Sequence, residues 1–132
     1  MVIYSMSCFW DTLIRKINKD DIQSILSLTT LAPKEFSETL KKHNIPTDNV
    51  LWMNGEISSQ MKKENMEHIK EYDSSTIQGG YLCSTCDPFL LLITELFKLE
   101  IIHHYNQTII NYKHKTNIRN TITLHNNNGH MW

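Results

Sequence analysis

The feature that most constrains the fold is an apolar run in the second half of the chain, Phe89 to Lys98, which directly follows Asp87-Pro88. An aspartate before a proline is a favourable N-cap and first-turn pair for a helix. The run has almost no polar positions, and a helix that is apolar on all sides has to be buried. The sequence therefore predicts a buried helix that the rest of the chain must cover.

The segments after this helix have the composition of strands. They are rich in Ile, Tyr and Thr and are separated by polar turns, and they comprise Glu100 to Tyr105, Thr108 to Lys113 and Thr121 to His125. An Asn-Asn-Asn-Gly turn then leads into a last strand that begins at His130. These segments predict a small, mainly antiparallel sheet at the C-terminal end.

Helical periodicity dominates the first half of the chain. The predicted helices run from Cys8 to about Asn18, from Asp20 or Asp21 to Leu28, from Pro33 to before Asn44, and from Ser58 to Tyr72. The segments Pro46 to Gly55 and Asp73 to Gly80 are predicted to be loops. Helices followed by strands indicate an α+β fold, and 132 residues indicate a single domain over residues 1–132.

Composition excludes several classes of partner. The apolar fraction is 40% and the formal net charge is −1, so the chain has neither the basic surface of a nucleic-acid-binding protein nor a membrane-binding patch. It lacks an apolar run of membrane-spanning length and the pattern of a signal peptide. Three cysteines without framework spacing suit a reducing compartment. We expect a cytoplasmic monomer that needs no cofactor, nucleic acid or membrane.

Cys8 and His130 form the candidate catalytic site. A thiolate is the reactive form of cysteine, and a free thiol is mostly protonated at neutral pH. Cys8 would begin a helix whose apolar face holds Phe9, Leu13 and Ile14, and a helix N-terminus favours an anion. A histidine beside the thiol would act first as base and then as acid. Together the two residues indicate a thiol hydrolase.

Four other interpretations compete with this one. Free cysteines are commonly small buried apolar residues, so Cys8 could simply pack in the core. Cys83-Ser84-Thr85-Cys86 could be half of a zinc site, although no second such pair exists and the neighbouring His103 and His104 would face opposite sides of a strand. The same pair could be a redox dithiol, or two packing cysteines, and no metal ligand is assigned. His125 is a second histidine that could be mistaken for the base, whereas His114 is predicted to lie at the surface.

The order of these segments resembles the ovarian-tumour (OTU) family of cysteine proteases, most of which are deubiquitinases. Ser5-Met6-Ser7-Cys8-Phe9-Trp10 occupies the place of the family's nucleophile motif. Gln78-Gly79-Gly80 and the helix and strand after it are similar to the family's middle signature, and Ile122 to Met131 is similar to its C-terminal histidine signature. The small size is similar to that of viral members. The resemblance implies an OTU/papain-like cysteine protease architecture.

The resemblance also implies roles for individual residues. Cys8 would be the nucleophile and His130 the general base, and backbone N–H groups of Cys8 and of Ser5, Met6 and Ser7 would form the oxyanion hole. Gly79 and Gly80 would line the channel for the substrate tail. The substrate would be an isopeptide or peptide bond after ubiquitin or a ubiquitin-like protein, or a site in a viral polyprotein, which places the protein in the host cytoplasm.

Three positions depart from the family pattern. Ser5 stands where the family has Asp, Gln78 where it has Trp, and Trp132 where it has the acid of the triad. The third catalytic member would then be Asn128, with Ser5 and Asp11 as further candidates. The missing acid also allows a second function, that of an inactive OTU-like module that binds ubiquitin or another protein.

Overall fold

The computed structural model describes residues 8–79, 81–127 and 130–132. In this part of the chain the helices are α1 (Cys8–Lys16), α2 (Lys19–Leu26), α3 (Pro33–Lys42), α4 (Ser59–Glu71) and α5 (Pro88–Phe97). The strands are β1 (Val50–Trp52), β2 (Gly55–Glu56), β3 (Leu99–Tyr105), β4 (Thr108–His114), β5 (Asn120–Asn127) and β6 (His130–Met131). The structure is therefore a mixed fold of helices and one mostly antiparallel sheet.

Helix α5 is buried along almost its whole length, as the apolar run predicts. It contacts strands β1, β3 and β4 on one side and helices α2 and α4 on another. Burial of a leucine or phenylalanine side chain contributes roughly 1.5–3 kcal/mol, so this helix supplies a large share of the core. None of the helices in the described residues is long and apolar enough to cross a membrane.

Asp87 fixes the start of α5. One carboxylate oxygen accepts hydrogen bonds from the backbone N–H groups of Phe89 at 3.0 Å and Leu90 at 3.3 Å. The other accepts from the hydroxyl of Tyr81 at 2.7 Å and from the backbone N–H of Ser84 at 3.1 Å. Burial raises the pKa of this carboxyl group, and the donors around it oppose that rise. The N-cap is thus a buried carboxylate that accepts hydrogen bonds at both of its oxygens.

The six described strands have the order β2-β1-β4-β3-β5-β6. Neighbouring strands are antiparallel except for β3 and β5, which are parallel with Ile101 opposite Ile122. Because β4 runs antiparallel to β3, the end of β4 lies beside the start of β3. A short connection from the end of β4 can therefore place the start of β5 beside the start of β3. The backbone N–H of Arg119 donates to the carbonyl of Lys98 at 2.7 Å at this crossing.

The prediction that Pro46 to Gly55 is a loop is wrong. Residues of this segment form β1 and begin β2, and β1 pairs with β4 at the edge of the sheet. Met53 and Asn54 connect the two strands with φ angles of 51° and 63°. Positive φ at both central residues is the requirement of a tight type I′ hairpin turn, and asparagine, present at Asn54, is a residue type that this turn favours. The sheet therefore begins before α4.

Two smaller differences concern the loop Asp73 to Gly80 and His114. The loop contains a 3-10 helical segment, Ser74–Gly79. His114 is buried instead of exposed, and its Nε2 lies 3.5 Å from a carboxylate oxygen of Glu95. Glu95 also accepts a hydrogen bond from the backbone N–H of Asn49 at 2.9 Å. This buried pair joins α5 to the strands β1 and β4.

We expect Asp87→Ala to lower the free energy of unfolding by about 3 kcal/mol, because it removes a helix cap and leaves buried donors without an acceptor. Chemical denaturation monitored by circular dichroism measures the change. The matched control is Ser58→Ala, since Ser58 caps α4 at the surface through one hydrogen bond from the Met61 N–H at 3.1 Å. That variant should lose only about 1 kcal/mol. Equal losses in the two variants would contradict the role assigned to Asp87.

Candidate active site

The structure brings Cys8 and His130 together from opposite ends of the sequence. The Sγ atom of Cys8 lies 3.5 Å from Nδ1 of His130, although the two residues are 122 positions apart. Cys8 is half-buried and His130 is exposed, so the pair lies at the protein surface. The distance is within hydrogen-bonding range for sulfur and nitrogen. This is the geometry that proton transfer from a thiol to an imidazole requires.

The backbone of Met131 holds the same sulfur from a second direction. Its N–H lies 3.2 Å from Sγ and its carbonyl oxygen 3.0 Å from Sγ. A thiol can donate to the carbonyl, and a thiolate can accept from the N–H, so one residue serves both forms of the sulfur. The hydroxyl of Thr12 also donates to this carbonyl at 3.3 Å. The backbone of Met131 therefore links β6 to α1.

Helix α1 is positioned by aromatic packing. Trp10 is completely buried, its indole N–H donates to the hydroxyl of Tyr72 at 3.2 Å, and its ring lies edge-on to Phe89 with centroids 4.9 Å apart. Phe9 packs against Tyr81 with centroids 4.4 Å apart. The apolar face predicted for this helix is buried. The side chains after Cys8 thus fix the helix N-terminus against α5 and the segment that follows Gly80.

Strand β6 is positioned by its backbone pairing with β5. Asn127 is opposite His130 and Asn126 is opposite Met131. His125 and Trp132 exchange two backbone hydrogen bonds of 2.9 Å each. Alternation along the strand directs Met131 into the core and leaves His130 and Trp132 on the outer face. The location of the imidazole is consequently set by main-chain register.

Four rings form a continuous stack on this outer face. His104 and His125 have centroids 4.6 Å apart and His125 and Trp132 have centroids 5.4 Å apart, with interplanar angles of 10° and 11°. Trp132 and His130 are 5.4 Å apart at 21°. Loss of hydration, the neighbouring His104 and Lys16 lower the pKa of His125. The stack connects β3 and β5 with the imidazole beside Cys8.

His103 and Asn126 lie on the inner face of the same strands. His103 is fully buried, and its Nε2–H donates to the side-chain oxygen of Asn126 at 3.0 Å. Its Nδ1 is buried without a hydrogen-bond partner among the residues that the structure describes. Burial lowers the pKa of this imidazole, and the neighbouring His104 and His125 lower it further. As predicted, His103 and His104 face opposite sides of the strand.

Several predicted site residues lie outside the described part of the chain: Ser5, Met6, Ser7, Gly80 and Asn128. Gly79 ends the 3-10 helical segment, and Tyr81, two residues later, packs on the neighbour of Cys8. Asp11 is on the exposed side of α1. The roles proposed for these residues remain predictions.

The cysteines of the Cys-x-x-Cys pair are in a different environment from Cys8. Cys83 is buried and Cys86 is half-buried, and burial together with the nearby Asp87 carboxylate raises both pKa values, that of Cys86 to about 11. Within residues 8–79, 81–127 and 130–132, no group of three or more His, Cys, Asp or Glu side chains could hold a metal ion. The geometry therefore gives no support to the zinc interpretation.

Comparison of the chain with protein-family models, with curated proteins and with solved structures finds no match. The chemistry of the site therefore has to be inferred from its geometry and from the sequence pattern.

Sequence reasoning missed two contributors to this site. It did not identify the main chain of Met131, which carries no side-chain signal. It also did not identify the contact of Trp132 with His130, although two residues separated by one position on a strand share a face. The spacing of His130 and Trp132, with one residue between them, therefore indicated that their rings share a face of the strand.

We expect the fold to lose stability as the pH falls below about 6.5, the ordinary pKa of histidine, because His103 binds a proton more readily in the unfolded chain than in the fold. Each pH unit between the unfolded and folded pKa values of His103 should cost up to about 1.4 kcal/mol. Denaturation of the wild type and of His103→Gln at pH 7.5 and pH 5.5 measures the effect. The difference between the two proteins should change with pH; a constant difference would show that His103 titrates normally.

Proposed function

We propose that this protein is a cysteine protease of OTU type, which hydrolyses peptide or isopeptide bonds with Cys8 as nucleophile and His130 as general base. The observation that carries the proposal is the distance of 3.5 Å between Cys8 Sγ and His130 Nδ1 at the first residue of a helix. A buried structural cysteine needs neither an imidazole nor access to solvent.

The reaction follows from the roles of the two residues. His130 takes the thiol proton, and Sγ attacks the carbonyl carbon of the substrate to form a tetrahedral oxyanion. The C–N bond then breaks, the proton passes from His130 to the leaving amine, and the acyl group remains as a thioester on Cys8. Water, deprotonated by His130, hydrolyses the thioester and regenerates the thiol. No other reactant is required.

The start of α1 suits the oxyanion as well as the sulfur. The first N–H groups of an α-helix have no acceptor within the helix and carry partial positive charge. The N–H of Cys8 is one of them, and we propose that it stabilises the oxyanion with donors from Ser5 to Ser7. Loss of one such donor typically slows acyl transfer about a hundredfold or more.

The substrate class follows from the resemblance and from the exposure of the site. His130 is exposed and Cys8 half-buried, so an extended tail of a folded protein can reach the sulfur. The packing of Tyr81 on Phe9 brings the segment after Gly79-Gly80 to the start of α1. We therefore propose tails of ubiquitin or ubiquitin-like proteins, or a viral polyprotein site, with Gly79 and Gly80 along the channel. Host cytoplasm is the compartment in which such substrates occur.

A second candidate function is that of a binding module with the OTU fold and without catalysis. The observation in its favour is Trp132, which stands where the family has the acid that orients the histidine. Such a module would bind ubiquitin without reacting with it.

We expect wild-type protein to react covalently with a ubiquitin C-terminal propargylamide probe and Cys8→Ala to show no adduct, as judged by intact mass. His130→Ala should react at least about a hundredfold more slowly, since a positioned general base contributes that much. The matched control is His43→Ala, which removes an imidazole at the C-terminus of α3, outside the ring stack, and should retain most of the activity.

Adduct formation in Cys8→Ala, or equal rates for His130→Ala and His43→Ala, would contradict the assignment of the two residues. Binding of ubiquitin by the wild type without an adduct would favour the binding module over the protease.

A further inference from the structure

The face of the His130 imidazole is covered by the indole of Trp132. The ring centroids are 5.4 Å apart and the planes differ by 21°, so the two rings are stacked. Trp132 is 43% exposed, which leaves the contact at the rim of the site and accessible to a substrate. A stacked partner restricts the tilt of an imidazole in the same way as a hydrogen-bonded acid restricts its rotation.

We infer that Trp132 is a positioning residue of His130: its indole holds the imidazole against Cys8 and stabilises the imidazolium that forms when the thiol loses its proton. The inference rests on the proposed function, because it concerns the same two reacting groups. It adds a role for a residue that departs from the family pattern.

The first support is mechanical. Trp132 is tied to β5 by two backbone hydrogen bonds of 2.9 Å with His125, and the His125 ring also stacks with the indole, with centroids 5.4 Å apart. The His125 ring in turn lies 4.6 Å from His104. The indole thus stacks with two imidazoles and is anchored to β5, so its position is fixed beside the ring of His130.

The second support is electrostatic. The face of an indole is the negative end of its quadrupole and attracts a cation within about 6 Å of the ring centroid. An imidazolium at His130 would lie inside that distance. His104, His125 and Lys16 are the other basic groups along the stack, and the lowered pKa of His125 keeps its ring neutral at pH 7. The indole would therefore stabilise a cation at the imidazole beside the sulfur.

The role differs in strength from that of a carboxylate. A carboxylate stabilises the imidazolium through a full charge, whereas a π face at a partly exposed site contributes a factor of about three to ten in population. This makes the contribution of Trp132 measurable through the reactivity of Cys8 itself.

The test compares Trp132→Phe, which keeps a π face, with Trp132→Leu, which keeps apolar bulk and loses the π face. The probe is iodoacetamide at pH 7, with alkylation of Cys8 followed by peptide mass spectrometry, so that no ubiquitin substrate is needed. The full chain is used, and thermal unfolding confirms that each variant is folded. The matched control is Trp52→Leu, the same change in β1, which lies near the opposite edge of the sheet from β6.

We expect Trp132→Phe to alkylate within about twofold of the wild type and Trp132→Leu to be slower by about three- to tenfold, the factor of a cation–π contact. Trp52→Leu should not change the rate. Equal rates for the Phe and Leu variants would overturn the inference, as would an equal loss in Trp52→Leu.

The same variants are then assayed with the ubiquitin propargylamide probe. If the wild type forms no adduct while the alkylation rates separate as described, the proposed protease function fails and the role of Trp132 stands. If the wild type forms an adduct and the Phe and Leu variants have equal alkylation rates, the role of Trp132 fails and the protease function stands.

Discussion

The structure depends on the burial of α5. This helix has no solvent-facing stripe, so strands have to cover one side and helices another. The backbone N–H groups of its first residues also need hydrogen-bond acceptors other than water. Asp87 meets that second requirement by accepting hydrogen bonds from the N–H groups of Phe89 and Leu90, while Tyr81 and Ser84 donate to its other carboxylate oxygen. The aromatic rings of Trp10 and Tyr81 pack near this start. The core and the N-terminus of α1 are thus parts of one packing arrangement.

The meeting of the two chain ends follows from sheet topology. β5 pairs in parallel with β3, and β6 turns back along β5 at the sheet edge. That edge is where α1 contacts the sheet, through the backbone of Met131. Because backbone groups make these contacts, the position of His130 depends on register, and a slip of one residue would place the Met131 side chain where the imidazole now lies.

Much of this could be predicted from particular residues. The apolar run after Asp87-Pro88 predicted α5, and the Ile- and Thr-rich segments predicted β3, β4 and β5. The sequence pattern also predicted Cys8 and His130 as a pair. The hairpin β1–β2 was missed because strands of three and two residues have no readable period. The burial of His114 was missed because it depends on Glu95, and that contact exists only once α5 lies on the sheet.

The contrast among the three cysteines bears on what the site can do. Cys83 and Cys86 lie near the Asp87 carboxylate, and burial with that negative charge raises their pKa values, so they stay protonated. Cys8 is instead at the positive end of a helix, beside an imidazole and a backbone N–H. Burial and the acid that caps α5 therefore disfavour two thiolates, while the fold organised around α5 places Cys8 beside an imidazole. This difference in environment supports the proposal that Cys8, and not Cys83 or Cys86, is the nucleophile.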